Sequence, residues 1–424
     1  MGGAVSVDDG SMILVEDHAI AIKPHFIQTL SPAMNLDVTN PVITASDELL
    51  IQSHWAKICN GTAAFDPAKH ITPMKFFSST FYSLLFEAAP SVRPLFRSSI
   101  TVQGKSLARL IDVLVTIVKA NDIERACLDL AARHAAFGAT NDHYSAVGTI
   151  LLKTLEVVSG PEWSEKLHTA YLTAYCFLYY LMLPNIIDIV PVPIKLSLPG
   201  SIVKRDMVSP EVVSLSVSVD FPIRYHPGDS ILLGLPLPTG EIRRSYAVTS
   251  LYTPGVNLFD ICVQAAGEAS TWLCQANVGT AVNVYWINVG VHIETDEPAA
   301  IPKKPLFVSE GIAVAPFYTM MRALQSIQDQ WDGSAVALQC GKLSLPCFET
   351  IEWSRCTIAT ASVVTMERML ELAPDLSERH LYVAGSAAFV EETKRFFRDG
   401  GGQDSAIEIY SFDNEAFVAA SQLA

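Results

Sequence analysis

The sequence predicts three folds in series: an all-α part, a β-barrel-like part, and an α/β part with a parallel sheet. Three observations carry this. Apolar residues recur at helical spacing from Ser46 to Leu183, strand-like alternation follows in Val212–Val219, and from Pro302 onward short apolar strands alternate with helical segments. At 424 residues the chain is too long for one core, and with 50% hydrophobic and 17% charged residues it has the apolar content for several.

Taken in order, residues 1–44 mix Gly, Pro, Thr and Asp without lasting periodicity and read as a flexible extension. Ser46-Asp-Glu-Leu-Leu50 reads as a helix start, with an N-cap hydroxyl and acids in the first turn where the helix dipole favours them. Phe77, Phe81, Leu84 and Leu85 form an apolar stripe over Phe76–Glu87; Leu107, Leu110, Ile111, Leu114, Val115 and Val118 form another over Lys105–Ala120. Helical patterns continue over His143–Val158 and Ser164–Leu183, with turns at the Asn/Gly punctuation of 138–141 and 159–161. Ile189-Val-Pro-Val-Pro-Ile194 is a proline-stiffened connector. Beyond it, Pro227-Gly228 and Pro254-Gly255 mark turns between strands. Phe307-Val-Ser309, Ala335–Gln339 and Leu381–Ala384 are the strands of the last part, with helices reaching Leu324 and covering Phe389–Phe397. The expected domains are 1–44, 45–188, 189–301 and 302–424.

Composition narrows the function. A net charge of −15 argues against nucleic acid and anionic lipid as partners, since both require clustered Lys and Arg. Eight cysteines are scattered without a Cys-x-x-Cys pair, which fits reduced thiols and a cytoplasmic protein better than a disulfide frame or a zinc site. The N-terminus lacks a basic segment followed by an apolar core, and the longest apolar run, Ala170–Leu183, is too short to span a bilayer. Met1-Gly-Gly-Ala-Val-Ser6 fits the N-myristoylation pattern with Gly2 as acceptor, which would give weak membrane association; Asp8 and Asp9 stand where a basic second anchor would help.

The residue that carries most chemistry is His134, on the apolar helical stretch Leu130–Gly138, with Tyr144 ten residues on. A histidine on an apolar face is more often a packed or surface residue than a ligand, but neutral imidazole is the commonest protein ligand for haem iron. Tyr82 and Gln103 are polar candidates for the opposite side of a haem, and Phe96 is a further upstream aromatic.

The surroundings decide the reading. Glu48-Leu-Leu-Ile-Gln-Ser-His-Trp55 is similar to a first globin helix, and Phe81-Tyr-Ser-Leu-Leu-Phe-Glu-Ala-Ala-Pro-Ser-Val-Arg-Pro-Leu-Phe96 resembles the second helix and its corner in flavohaemoglobins. Over residues 46–183 the resemblance implies a globin with His134 as proximal ligand to haem b, Phe96 wedged against the haem, and Tyr144 beside the proximal histidine. It makes Tyr82 the distal tyrosine and, if one loop is shorter than usual, Gln103 the distal glutamine. The family's glutamate near the end of the last globin helix, which makes the imidazole more imidazolate-like, aligns with Ile186. Asp188 lies two residues on, about 200° around a helix, and faces elsewhere.

Tyr225-His-Pro-Gly-Asp229, Arg243-Arg-Ser-Tyr-Ala247 and Gly267-Glu-Ala-Ser270 resemble the flavin-binding elements of ferredoxin-reductase-like modules. The resemblance implies FAD held by Tyr225, Arg244, Ser245, Tyr246, Ala247, Gly267, Ser270 and the C-terminal aromatic Phe412. Arg244 suits a diphosphate and the Gly-x-x-Ser turn suits a phosphate cradle. The family's hydroxyl residue at 247 is alanine here. For NAD(P)H the matching segment is Gly311, Ile312, Ala313, Val314, Ala315 and Pro316 with Gly385, placed after a strand and opening a helix. Family glycine and threonine are Ala313 and Ala315, the family Cys-Gly-Pro is Ala384-Gly385-Ser386, and the glutamate before Phe412 is Tyr410. A methyl where only hydrogen fits is expected to obstruct the diphosphate.

The resemblance implies nitric oxide dioxygenase activity: NO and O2 converted to nitrate with electrons passed from NAD(P)H through FAD to haem. The alternative is a haem-based O2 or NO binding or sensing protein with a vestigial reductase module. Neither an acidic nor a basic residue that would choose NADH over NADPH stands out.

Overall fold

The computed structural model describes residues 10–16, 19–66, 72–114, 116, 122–187, 192–341, 351 and 353–411. The chain divides into two compact units, residues 1–95 with 103–195, and residues 96–102 with 196–424.

The first unit opens with β1 (Ile13–Glu16), β2 (Ala19–Ile22), α1 (Pro24–Leu30) and β3 (Val42–Thr44). The strands form an antiparallel sheet in the order β1-β2-β3, with Ile13 opposite Ile22 and Ala19 opposite Thr44. This corrects the expected loose extension from residue 13 onward. Ile20, Ile22, Leu30 and Ile43 are buried, the Ser11 hydroxyl donates to Glu124 at 2.6 Å, and Asn141 Nδ2 donates to Ala33 O at 2.7 Å. Strands of three and four residues are too short to display a period, and their burial comes from contacts distant in sequence.

The helices follow as α2 (Ala45–Asn60), α3 (Pro73–Ala88), α4 (Ile100–Leu114), α5 (Ile123–Ala136), α6 (Asn141–Ser159), α7 (Glu165–Met182) and the short α8 (Pro184–Ile187). Local chemistry sets their starts. Thr44 caps α2 in a reciprocal box with Asp47, two residues earlier than the Ser46 start expected from sequence. Thr72 caps α3 with Pro73 at its first turn, and Ser164 caps α7 by accepting from Leu167 N. The first-unit core lies against α7, which is buried from Tyr175 through Met182. Three tyrosines at four-residue spacing on α7 tie it to two other helices: Tyr171 shares a hydrogen bond with His54 of α2, while Tyr175 donates to Tyr144 O and Tyr179 to Asn141 O, both of α6.

The second unit is tied by residues 96–102 to a barrel. Arg97 Nη1 donates to Tyr285 O at 2.9 Å and Ser99 N to Arg224 O at 2.8 Å. The strands are β4 (Leu198–Ser209), β5 (Val212–Val219), β6 (Ser230–Leu237), β7 (Gly240–Ala247), β8 (Leu258–Gln264) and, after α9 (Glu268–Gln275), β9 (Ala281–Asn288). They pair antiparallel in the order β7-β6-β9-β4-β5-β8, and a bridge from Val248 to Ile261 links the two edges. Inward residues such as Leu215, Val217, Leu233, Ile261 and Val284 fill the interior.

The remaining elements are β10 (Pro305–Glu310), α10 (Ala315–Ser326), β11 (Ala335–Cys340), β12 (Cys356–Ala361), α11 (Met366–Leu372), β13 (His380–Ala384), α12 (Ala387–Asp399) and β14 (Ile407–Ile409). Their parallel sheet runs β12-β11-β10-β13-β14. It is covered on both faces: Phe307 packs into one apolar cluster, Leu306 and Val308 into another. The boundaries expected at 188/189 and 301/302 are not where the contacts break. The break falls at 195/196, and barrel and α/β part form one unit because Ala247 and Val212 share a core with Phe317 and Met320, while Thr319 Oγ1 donates to Val248 O at 3.0 Å.

Two predictions follow from the packing of the first unit. A Cβ at Gly148 of α6 would lie 2.4 Å from the Tyr175 ring. Gly148→Ala is therefore expected to lower stability by about 1–3 kcal/mol, measured by urea unfolding followed through helical signal. The second concerns His54, buried between Tyr171 (3.1 Å) and Ser159 (3.0 Å). Burial lowers its pKa from 6.5 to about 4. The folded state thus refuses a proton that the unfolded chain accepts. Its stabilising contribution, on the order of 3 kcal/mol, is complete above pH 6.5 and lost as pH falls toward 4. His54→Gln should flatten that part of the stability profile.

Candidate functional site

His134 lies in the last turn of α5. Helix α5 packs on α7 and α8, and Asn185 Nδ2 donates to Leu128 O at 2.9 Å. The imidazole Nδ1 lies 3.2 Å from the Tyr144 hydroxyl. Tyr144 is itself fixed from behind: its carbonyl accepts from Tyr175 OH at 2.6 Å, and its ring stacks on Tyr179 at 5.8 Å. The Nε2 edge makes no hydrogen bond among the described residues, and the side chain keeps accessible surface. Burial nevertheless lowers the His134 pKa, with the Arg133 charge as a second cause. A neutral imidazole with one nitrogen oriented and the other open is the donor that a haem iron takes.

Ile186, at the position of the family glutamate, is buried in α8. The Nδ1 partner of His134 is thus a phenol. Burial raises the Tyr144 pKa, so this phenol stays neutral. Asp188 lies outside the described residues.

Tyr82 sits on α3 with its ring buried against Phe81 at 5.1 Å and Phe86 at 5.9 Å. Burial raises its pKa strongly, so it remains a neutral hydrogen-bonding group. Gln103 is half-buried on α4. Next to it, Gly104 lets α4 approach α3 closely: a Cβ there would lie 2.8 Å from Ser78 Cβ. Ser78 is one turn before Tyr82 on α3. No substantial contact joins α4 to α5 among the described residues. Phe96 heads the segment 96–102, in which Arg97, Ser98 and Ser99 bond to barrel backbone.

On the barrel, Arg244 is exposed, donates to Arg243 O at 2.8 Å and makes no ion pair among the described residues. Arg243, on the opposite side of β7, pairs with Glu241 at 2.9 Å and lies over the Tyr285 ring. Tyr246 is half-buried, its pKa pushed up to about 12 by burial. Ser245 Oγ accepts from Asn288 at 2.9 Å, and Tyr225 OH shares a 2.9 Å bond with Ser250. At the head of α9, Ser270 Oγ accepts from the N–H groups of Ala266 and Gly267, each at 3.0 Å, and a Cβ on Gly267 would meet nothing within 4 Å. An exposed guanidinium, an open glycine turn and a half-buried phenol fit a flavin diphosphate and ring. Ala247 turns its methyl into the core, and Phe412 lies outside the described residues.

In the α/β part, Gly311, Ile312, Ala313 and Val314 form a 3-10 turn leading into Ala315 and Pro316 of α10. The obstruction expected from Ala313 and Ala315 is corrected: both are buried in the core between sheet and barrel. Sequence reasoning missed Glu310, whose carboxylate accepts from Ser386 N at 2.9 Å and Ser386 Oγ at 2.7 Å, against Gly385. Only its position at the end of an apolar strand could have drawn attention to it.

The globin family model matches residues 79–180. A flavohemoprotein of Burkholderia sp. (strain TH2) is 24% identical over 260 residues, covering 57% of this chain and 64% of that protein. A flavohemoprotein of Pseudomonas putida is 25% identical over 265 residues, with the same shares. Ferredoxin--NADP reductase B of Sorangium cellulosum is 33% identical over 102 residues, 23% of this chain and 39% of that protein. The chain spans less than two thirds of the length of each of these relatives.

The site yields one direct test. His134→Ala is expected to lose haem incorporation, read as the ratio of haem to protein absorbance after expression with excess haem. Retention of a full haem complement would remove His134 as the ligand.

Proposed function

Taking this chain as a flavohaemoglobin-type protein, a globin followed by a ferredoxin-reductase-like module, we propose that it is a haem and flavin oxidoreductase that turns NO and O2 into nitrate. The observation that carries the reading is the His134–Tyr144 pair: a neutral imidazole, oriented through Nδ1 and open at Nε2. Haem supplies the place where O2 and NO meet, and FAD the means to pass electrons singly from a two-electron donor.

The chain's own part is orientation and electrostatics. His134 would hold haem b through Nε2. Tyr144 fixes the plane of its ring and, being neutral, adds no negative charge to it. Tyr82 and Gln103 would donate hydrogen bonds to a bound diatomic ligand and discriminate O2 from less polar ligands. Arg244 would neutralise the FAD diphosphate, Gly267 and Ser270 would shape its cradle, and Tyr246 would pack on the isoalloxazine. With the apolar Ile186 where the resemblance places a carboxylate, His134 would hold the haem as a neutral imidazole, without the added negative charge of an imidazolate-like ligand.

The specific observation that favours a second reading is Glu310. A carboxylate across the α/β crevice opposes dinucleotide entry, as a haem-based binding or sensing protein with a vestigial reductase would allow. An anaerobic titration of the haem- and FAD-loaded protein with NADH and NADPH separates the two. Bleaching of flavin followed by haem reduction, with nitrate formed when NO and O2 are admitted, is the expected result. If both cofactors stay oxidised while dithionite still reduces the haem, the binding or sensing function takes its place.

A further inference from the structure

The parallel sheet has one point where strand order reverses. From β10 the chain proceeds outward through β11 and β12, then returns to place β13 and β14 on the other side. In open sheets of this kind the crevice outside the carboxyl ends of the two central strands is the ligand position, because helix N-termini on both sides turn their free N–H groups and positive dipole ends into it.

Here β10 ends at Glu310 and β13 at Ala384, and the two strands are direct neighbours. Ser386 is the N-cap of α12, its hydroxyl accepting from Phe389 N. The Glu310 carboxylate accepts from both Ser386 N and Ser386 Oγ, so it bridges the crevice and sits on the N-terminal end of a thirteen-residue helix. Gly385 makes the bridge sterically possible: a Cβ there would lie 2.8 Å from Glu310 Cβ and 3.1 Å from its Oε2. The positive helix end already holds an anion, and that anion is part of the chain. The neighbouring Ala313 and Ala315 pack into the core, which leaves the carboxylate as the group that stands in the crevice.

We propose that Glu310 is an internal anion that occupies the dinucleotide crevice, so that a dinucleotide diphosphate enters only by displacing the Glu310–Ser386 contact. This rests on the reading of the α/β part as dinucleotide-binding. The contact sets affinity in two ways, by taking the donors a phosphate would use and by repelling its charge.

The test is calorimetric binding of NAD+ and NADP+ to the oxidised, haem- and FAD-loaded full chain, where no turnover occurs. Glu310→Ala should tighten the better-bound dinucleotide at least tenfold relative to the unaltered protein. Glu310→Gln, which keeps an acceptor of the same size without the charge, should tighten it by a smaller factor and guards against a folding defect in the alanine variant. Ser386→Ala, which removes one donor to the carboxylate, is expected to shift affinity less than either. Affinity unchanged or weakened in both Glu310 variants overturns the proposal, as does absence of binding in all forms. Haem and flavin spectra recorded on the same samples report on the haem reading separately, so failure of one leaves the other standing.

Discussion

The geometry of the first unit depends on a column of tyrosines behind one imidazole. Tyr179 stacks on Tyr144, Tyr175 donates to the Tyr144 backbone, and Tyr144 presents its hydroxyl to His134 Nδ1. Because Tyr175 and Tyr179 are one turn apart on α7 while Tyr144 is on α6, the column locks two helices and the His134 ring with the same three side chains. Gly148 and the capping of α6 by Thr140 are what this arrangement requires locally. The N-terminal strands extend the same logic outward, since Ser11 and Met12 bond to Glu124 at the start of the helix that carries His134.

That column also sets the chemistry. A phenol whose pKa is raised by burial can orient an imidazole but cannot charge it. The second unit shows a matching restraint. Its barrel keeps an exposed guanidinium at Arg244 and an open turn at Gly267, while Ala247 gives up a hydroxyl and Glu310 stands in the crevice of the sheet. The departures from the pattern it resembles therefore lie mostly in the second unit, at Ala247, Glu310, Ala313 and Ala315.

Much of this was legible in the sequence where the signal is local. Helices α3, α6 and α7 follow from apolar periodicity and hydroxyl caps, and β5 coincides with the alternating run Val212–Val219. The three-part architecture follows from the change of period along the chain. What escaped depends on distant contacts. The β1–β3 sheet is built from strands too short for a period, and segment 96–102 joins the barrel through Arg97, a residue that reads as an ordinary surface arginine. Ala313 and Ala315 look obstructive in a motif but face the core in space, whereas Glu310, unremarked in sequence, meets Ser386 from 76 residues away.

The proposed role of His134, a neutral haem ligand oriented by Tyr144, has a direct spectroscopic signature. Resonance Raman spectroscopy of the ferrous, ligand-free protein tests it most directly through the iron–histidine stretching band. A band at the low frequency of globins with a neutral proximal histidine, shifting in Tyr144→Phe, is expected. A band at the high frequency of imidazolate-like ligation, or one that is insensitive to Tyr144, would contradict it.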